Sequence, residues 1–254
     1  MPRILVTNDD GVHSDGIHRL ADALRRLGDV LVVAPHVEAS AIGHALTLRR
    51  PLRMEQLREG VYEVDGTPTD CVNIAFTKLY STPPELVVSG INKGYNLGDD
   101  VTYSGTVSGA LEAALLGVPS IAVSQERTRA AYDFSHAAAA AAAVAALVLR
   151  EGLPPQTFLS INVPTAKPKG FKLTVQAKRN HVTIVDERID PRGKAYYWIE
   201  EGENDWEPHD RSDFQAVRDG YVSVTPLQPD MTDHNALAKL EGLALESTPC
   251  DSPA

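Results

Sequence analysis

Two adjacent aspartates, Asp9 and Asp10, follow the first apolar run of the chain. Neighbouring carboxylates repel each other unless a cation lies between or beside them, so the pair indicates a divalent-cation site. A carboxylate in such a site can also accept a proton during hydrolysis. The same pair followed by Gly11 equally fits an acid-rich turn or a helix cap, and the pair alone does not choose between the two interpretations.

Further polar side chains come after the next apolar runs. Ser40 lies in the loop that follows residues 30–34, where capping a turn is the alternative to a ligand role. Residues 90–100 contain three glycines and include Asn92 and Asn96. Such an irregular, glycine-rich loop allows a ligand to approach the backbone closely.

Small and hydroxyl-bearing residues, Ser104, Gly105 and Thr106, precede a helix that the pattern predicts over residues 109–116. Free backbone N–H groups at a helix N-terminus can bind phosphate, and a simple Ser or Thr cap is the alternative. The chain contains neither a G-x-x-x-x-G-K-[ST] motif nor a G-x-G-x-x-G motif after the first strand. A P-loop ATPase and a typical dinucleotide-dependent dehydrogenase are therefore disfavoured.

Apolar runs that alternate with helical patterns position these residues. Four runs are typical of buried parallel strands, at residues 4–6, 30–34, 85–89 and 120–124. Helices are predicted over residues 16–27, 72–79, 109–116 and 135–150. This alternation predicts an α/β fold with a mostly parallel sheet. Ligands of such sheets bind outside the carboxyl ends of the strands, which is where the candidate residues lie.

The predicted α/β core covers residues 1–165, and residues 166–254 show a different pattern. Strand-like segments, a returning strand and a terminal helix are predicted over residues 171–177, 182–186, 195–200, 222–226 and 235–245. Residues 200–219 are rich in acids and predict a solvated loop. Residues 171–200 have no obvious place in the sheet of the core, so their apolar side chains need another surface.

The composition excludes several classes of protein. The 254 residues are 43% hydrophobic and 23% charged, which is typical of a folded globular protein. The net charge of −10 argues against partners such as duplex nucleic acid or an anionic membrane. The two cysteines, Cys71 and Cys250, form no disulfide framework, and we expect a cytoplasmic location. The N-terminal apolar run is too short for a signal peptide or a membrane span.

Several segments together resemble the SurE (survival protein E) family of metal-dependent 5′/3′-nucleotidases. The resemblance rests on LVTNDDG, GTPTDCV, YVSVTPL and above all VVSGINKGYNLGDDVTYSGTVSGA, which lie between residues 4 and 227. It implies a Rossmann-like three-layer α/β/α sandwich with a C-terminal hairpin and helix extension. It also implies hydrolysis of nucleoside 5′- and 3′-monophosphates to nucleoside and phosphate. The implied ligands of one divalent cation are Asp9, Asp10, Ser40 and Asn92.

The residue types agree with that chemistry. Two carboxylates, a hydroxyl and an amide form an all-oxygen ligand set, which suits Mg²⁺ or Mn²⁺. Asp9 or Asp10 would be the catalytic base, or the nucleophile of a phospho-aspartyl intermediate. The phosphate-binding residues would be Asn96, Ser104, Gly105 and Thr106. On this interpretation, Gly105→Val damages phosphate binding more than metal affinity.

Two alternative functions fit the same residues, and the resemblance also predicts an oligomer. The alternatives are another metal-dependent hydrolase on the same fold and a nucleotide-binding regulatory module. The resemblance implies that residues 171–200 and the C-terminal helix reach a neighbouring subunit, which gives an exchanged homodimer or a tetramer of two such dimers. The alternative is that residues 171–200 fold back on their own domain.

Overall fold

The computed structural model describes residues 1–180, 183–201 and 205–241. The strands, in chain order, are β1 (Arg3–Thr7), β2 (Asp29–Pro35), β3 (Met54–Arg58), β4 (Val61–Val64), β5 (Leu86–Lys93), β6 (Ser120–Gln125), β7 (Phe158–Val163), β8 (Phe171–Leu173), β9 (Arg179–Asn180), β10 (Thr183–Ile189), β11 (Ala195–Glu201), β12 (Asp205–Trp206) and β13 (Val222–Leu227). The helices are α1 (Asp15–Leu24), α2 (Pro68–Ile74), α3 (Gly105–Leu115), α4 (Ser135–Glu151), α5 (Asp213–Arg218) and α6 (His234–Glu241). A π-helical turn (Ala75–Leu79) continues α2, and a 3₁₀ turn (Gly98–Thr102) precedes α3.

Nine of the described strands form one sheet, in the order β3-β4-β2-β1-β5-β6-β7-β13-β8. All neighbours from β4 through β7 are parallel, whereas β3 and β13 run antiparallel to β4 and β7. The prediction of a mostly parallel sheet is confirmed, and the four predicted strands are β1, β2, β5 and β6. The β3–β4 hairpin at one edge was not predicted.

Helices cover both faces of the sheet because the buried strands are apolar on both sides. Ile4 packs in one core cluster with Leu20 of α1 and Ala141 of α4. The next residue, Leu5, points to the opposite face and packs in a second cluster with Cys71 of α2. Successive side chains of one strand therefore pack against helices on opposite faces of the sheet. The sheet lies between two layers of helices, so the predicted α/β/α sandwich is confirmed.

The helix predicted over residues 109–116 begins earlier, at Gly105. Ser104 is its N-cap, and the Ser104 hydroxyl accepts a hydrogen bond from the backbone N–H of Val107 at 3.1 Å. The apolar pattern alone did not reveal the extra turn because its first residues are small and polar. The early start brings the N-terminus of α3 to the carboxyl end of the sheet.

Two predictions for the second part of the chain are wrong. Residues 171–173 do have a place in the main sheet, since β8 pairs in parallel with β13, while residues 174–177 are not a strand. The acidic segment 200–219 is not a loop throughout, because α5 lies within it. Asp213 at the start of α5 is only 1% exposed and accepts hydrogen bonds from the backbone N–H groups of Gly98 (3.0 Å) and Ala177 (2.9 Å). The division at residue 165 therefore does not correspond to a break in the sheet.

The predicted hairpin is present as β10 and β11, which pair only with each other within the described residues. We call residues 183–201 the arm. Residue 182 of the predicted strand 182–186 and residues 202–204 of the acidic segment lie outside the described residues. The predicted helix over 235–245 is described only as α6, which ends at Glu241. In the described ranges, no helix is long and apolar enough to cross a membrane.

Candidate active site

The chain turns sharply after β1, and this turn carries both aspartates. Asn8 fixes the turn, since its side-chain amide donates to the carbonyl of Gly11 at 3.0 Å and to Oγ of Ser14 at 2.8 Å. Gly11 has a φ of +91°, which glycine adopts without strain. Asp9 and Asp10 are thereby placed just beyond the carboxyl end of a strand inside the sheet.

A cavity of about 840 Å³ opens at this end of the sheet. It is lined by six of the eight predicted site residues, namely Asp9, Asp10, Ser40, Asn92, Asn96 and Ser104. The remaining two, Gly105 and Thr106, are buried and contact Asp9. The structure therefore brings all eight residues together, from four separate segments of the chain.

The two aspartates lie in an unfavourable electrostatic environment. Burial raises the pKa of Asp9, and hydrogen bonds from Thr106 offset part of this effect. Burial and then the charge of Asp9 raise the pKa of Asp10 to about 6, while the charge of Lys93 acts in the opposite direction. Oδ2 of Asp10 is buried and has no hydrogen-bond partner in the described part of the chain. A cation beside the pair would relieve both the repulsion and the missing contact.

The N-terminus of α3 packs directly on Asp9. The Thr106 hydroxyl donates a hydrogen bond to Oδ1 of Asp9. A Cβ atom on Gly105 would lie 2.8 Å from Cβ of Asp9 and 3.0 Å from its Oδ2, so only glycine permits this approach. Gly105→Val would consequently displace Asp9 itself. We therefore expect this variant to lower metal affinity as well as phosphate binding, and which of the two suffers more stays a prediction.

Ser40 reaches the cavity from the loop that follows β2. Its hydroxyl donates to Oε1 of Glu38 at 2.6 Å, and the neighbouring Ala39 N–H donates to the carbonyl of Asp9 at 2.8 Å. Glu38, a third carboxylate that was not predicted as a site residue, lines the same cavity. Its negative charge adds to the rise in the pKa of Asp9 and of Asp10.

The two asparagines differ in how they are held. Nδ2 of Asn92 donates to the carbonyl of Gly94 at 2.9 Å, and the side-chain oxygen of Asn92 is the atom that can accept a cation. Asn96 is 6% exposed, and its backbone exchanges two hydrogen bonds with the Asn162 side chain, at 2.8 and 3.1 Å. Nδ2 of Asn96 also donates to Oγ of Ser124 at 2.7 Å. This clamp fixes Asn96 at the cavity wall.

The oxygen atoms at the turn fit a hard divalent cation. Asp9 and Asp10 offer carboxylates, Ser40 a hydroxyl and Asn92 an amide oxygen, and such a set suits Mg²⁺ or Mn²⁺. Among the described residues, no group of three or more His, Cys, Asp or Glu side chains is placed to hold a metal. A site with only two carboxylates and neutral oxygens beside them is compatible with that finding. The buried, unpartnered Oδ2 of Asp10 is the atom that the cation would satisfy.

Comparison with known proteins agrees with the motifs and the fold. The family model described as "Survival protein SurE" matches residues 4–183, a range that contains all eight predicted site residues. The chain belongs to the SurE family. A protein named "5'-nucleotidase SurE" from Syntrophotalea carbinolica is 55% identical over 231 residues, which is 91% of this chain and 92% of that protein. The relative of the same name from Geobacter sulfurreducens is 50% identical over 247 residues, 96% of this chain and 94% of that protein.

A solved structure of this family shares the fold. The crystal structure of the SurE protein from Aquifex aeolicus superimposes with a TM-score of 0.84 at 44% identity, covering 95% of this chain and 99% of that one. The resemblance stated from the motifs is thus confirmed at the level of family and fold. The roles of the individual residues stay predictions, because the comparisons do not test them.

Other residues of the cavity escaped the sequence analysis of this SurE family member. They include Lys93, Tyr95, Asp100, Tyr103, Arg127, Tyr132 and Ile199. Asn162 and Ser124, which hold Asn96, were also missed. A usable signal did exist for some of them, because Ser124, Asn162 and Arg127 lie at or just after the carboxyl ends of β6 and β7. Ile199 had no such signal, since it comes from the arm.

Proposed function

We propose that this chain is a divalent-metal-dependent nucleotidase that hydrolyses nucleoside 5′- and 3′-monophosphates to nucleoside and phosphate. The observation that carries the proposal is the buried, unpartnered oxygen of Asp10 beside Asp9, in a cavity that also receives the N-terminus of α3. An unsatisfied carboxylate pair predicts a cation, and the helix N-terminus predicts an anion. The relatives named 5'-nucleotidase SurE support the same activity.

Asp9, Asp10, Ser40 and Asn92 would hold one Mg²⁺ or Mn²⁺ ion. When bound, the ion polarises a phosphoryl oxygen and lowers the pKa of a water molecule. Thr106 fixes the orientation of Asp9 through its hydroxyl. One of the two aspartates accepts the proton of the attacking water, and both stay candidates for that role.

The phosphate would bind between the cation site and α3. Asn96, clamped by Asn162 and Ser124, presents its amide there, and the first N–H groups of α3 lie next to Asp9. Lys93 also lines the cavity, close enough to Asp10 to influence its pKa. Its ammonium group is suited to neutralise the phosphate as charge shifts to the leaving oxygen.

Release of inorganic phosphate from a panel of nucleoside monophosphates, with Mn²⁺ and with a chelator, tests the proposal. We expect metal-dependent release with the wild type and a loss of at least about a thousandfold in Asp10→Asn, which keeps the shape of the side chain. A different hydrolase on this fold would act on esters without phosphate. A regulatory module would bind nucleotides without releasing phosphate. Either result rejects the proposed function.

We also propose that the protein is a homodimer, or a tetramer built from two dimers, and that the arm and the C-terminal region make the contact. The arm leaves seven large apolar side chains exposed within the described residues, namely Ile184, Val185, Ile189, Tyr196, Tyr197, Trp198 and Ile199. A free hairpin of this kind is only marginally stable in water and normally packs on a partner. Replacing residues 185–198 by a short Gly/Ser turn should reduce the assembly in sedimentation experiments. A full-length protein that sediments as a monomer at micromolar concentration rejects the idea.

The cytoplasmic location is likewise a proposal. The chain has two cysteines, and Cys71, the one within the described residues, is a fully buried free thiol. Burial raises the pKa of this thiol well above its ordinary value. Free, unreactive thiols fit a reducing compartment.

A further inference from the structure

One part of the catalytic cavity has a chemistry different from the cation and phosphate sites. Three side chains without a role in binding the cation or the phosphate line it, namely Arg127 from the loop after β6, Tyr132 from the same loop and Ile199 from β11 of the arm. The first is a cation, the second an aromatic ring and the third an aliphatic group. We call these three residues the Arg127 subsite.

Tyr132 is placed as a stacking surface. Its ring stacks on that of Phe134 with centroids 5.3 Å apart and an interplanar angle of 12°. Phe134 is 2% exposed and belongs to the core, so one face of the Tyr132 ring is covered. Tyr132 nevertheless lines the cavity and is only half-buried, so part of its ring remains open to a ligand.

Arg127 is available for a ligand. No described residue makes a hydrogen bond or an ion pair with its exposed side chain, in a chain whose net charge is −10. Its Nε lies 4.0 Å from the position that a Cβ would take on Gly94, so the guanidinium borders the loop that joins Asn92 to Asn96. That loop connects the proposed cation ligand with the proposed phosphate ligand. Arg127 is thus at the edge of the reaction site.

We propose that the Arg127 subsite binds the nucleobase of the substrate, an inference that rests on the proposed nucleotidase function. The open part of the Tyr132 ring stacks on the base, and Ile199 borders the subsite as an aliphatic group. Flat bases bind well to aromatic rings and to guanidinium planes, because each has a π face. A second phosphate would need several cations and hydrogen-bond donors, whereas this subsite contributes one cation, a ring and an aliphatic side chain.

The arm also contributes a side chain, Ile199, to the proposed base subsite. Ile199 lines the cavity although it is 78% exposed, and it belongs to β11 of the arm rather than to the nine-stranded sheet. The arm therefore contributes to substrate recognition in addition to its apolar surface. Recognition of the base and recognition of the phosphate are thus separated, the first by loop and arm residues and the second by the carboxyl ends of the strands.

The test compares a nucleotide with the same phosphate ester lacking the base. We would measure kcat/KM for AMP and for ribose 5-phosphate in the wild type, Tyr132→Leu and Arg127→Ala. The ratio of the two values should fall about tenfold in each variant, because base stacking is worth roughly one to two factors of ten. Tyr132→Phe, which keeps the ring, should retain the wild-type ratio. Arg129→Ala, which removes an exposed arginine outside the cavity lining, is the matched control.

An equal loss of kcat/KM for AMP and for ribose 5-phosphate in Tyr132→Leu and Arg127→Ala would overturn the proposal. Such a result would mean that these residues bind the phosphate or stabilise the fold rather than bind the base. An unchanged ratio would overturn it as well. Calorimetric binding of adenosine, which lacks phosphate, gives a readout independent of turnover and should weaken about tenfold in both variants. If the wild type releases no phosphate from AMP, the nucleotidase function fails, while adenosine binding still decides on the subsite.

Discussion

Acidic residues lie at both ends of the neighbouring strands β1 and β5, with Glu85 at the amino end and Asp9 and Asp10 at the carboxyl end. The pKa values of Glu85 and Asp10 are shifted in opposite directions. At the amino end, the Glu85 carboxylate accepts hydrogen bonds from the backbone N–H of Arg3 at 2.6 Å and from its guanidinium at 2.6 and 3.2 Å. These hydrogen bonds and the charge of Arg3 lower the pKa of Glu85 to about 2. Arg3 and Glu85 thus form a hydrogen-bonded ion pair within the chain, at the protein surface.

At the carboxyl end, Asp10 lies beside a second acid and keeps a buried oxygen without a partner in the described residues. Its pKa is raised to about 6. The acid at the amino end is thus paired within the chain and stabilises the fold. The acids at the carboxyl end have a buried oxygen that the described residues leave without a partner. On the proposed function, the lower stability at the carboxyl end is the cost of a cation site.

Of the variants that distinguish the two ends, Gly105→Val should cause the largest loss of metal affinity and activity. Its side chain would overlap Asp9, so we expect metal affinity to fall about 100-fold or more and phosphate release to stop. Gly117→Asn, just beyond the other end of α3, is the control, because a Cβ added there would meet nothing within 4 Å and asparagine tolerates the φ of +80° at that position. Calorimetric titration with Mn²⁺ measures the change. Unaltered Mn²⁺ affinity would show that α3 does not depend on close contact with Asp9.

A smaller effect is expected from Thr106→Val, which keeps the volume of the side chain and removes its hydroxyl. The pKa of Asp9 should rise further, because a hydrogen bond that lowers it is lost. We expect Mn²⁺ affinity to fall about tenfold, the usual range for residues that orient a ligand. Thr106→Ser should restore most of the affinity in the same titration. If Thr106→Ser and Thr106→Val behave alike, the hydroxyl has no such role.

Asn162→Ala tests the clamp on Asn96 and should affect phosphate rather than metal. The variant loses both hydrogen bonds to the backbone of Asn96, so we expect KM for a nucleotide to rise about tenfold. Mn²⁺ affinity should change less than KM, because Asn96 is not a proposed cation ligand. A larger change in Mn²⁺ affinity than in KM contradicts this separation of roles.

The smallest effect is expected at the amino end. Glu85→Gln should lower the free energy of unfolding by about 1 kcal/mol or less, because exposed ion pairs contribute little. Phosphate release should stay at the wild-type rate. Chemical denaturation followed by circular dichroism measures the stability. A loss of activity in Glu85→Gln would contradict the assignment of this end to the fold.

The sequence predicted the parts of the site that follow directly after strands or precede a helix. Asp9, Asp10, Asn92 and Ser104 were accessible in this way, because the end of a buried strand fixes where the next residues lie. Glu38 and Tyr132 could not be predicted, since their loops gain a position only from tertiary contacts. The start of α3 at Gly105 was missed for a related reason, as its first turn is held by the Ser104 cap rather than by an apolar face.

The second part of the chain shows the same limit. The strand-like pattern of residues 171–177 was noticed, but its pairing with β13 depends on a contact between segments about 50 residues apart. Helix α5 was missed because Asp213 reads as a solvated acid, whereas in the structure it is buried and bonded to three backbone N–H groups. Local patterns do not reveal which charged residue is satisfied by distant backbone groups.

The central claim is that the Asp9–Asp10 pair is a cation site maintained at a cost in stability. The folded-state pKa of Asp10, about 6, lies above its ordinary value of 3.8. The metal-free protein therefore loses stability through this group as the pH rises from about 4 to about 6, and the full cost is present at pH 7.

Melting temperatures of the wild type and Asp10→Asn at pH 7, with a chelator and with Mn²⁺, test this claim most directly. Without metal, Asp10→Asn should melt a few degrees higher than the wild type, and the difference should shrink at pH 5. Mn²⁺ should raise the melting temperature of the wild type and leave that of Asp10→Asn nearly unchanged. A metal-free Asp10→Asn protein that melts below the wild type, or that gains as much from Mn²⁺, would contradict the account.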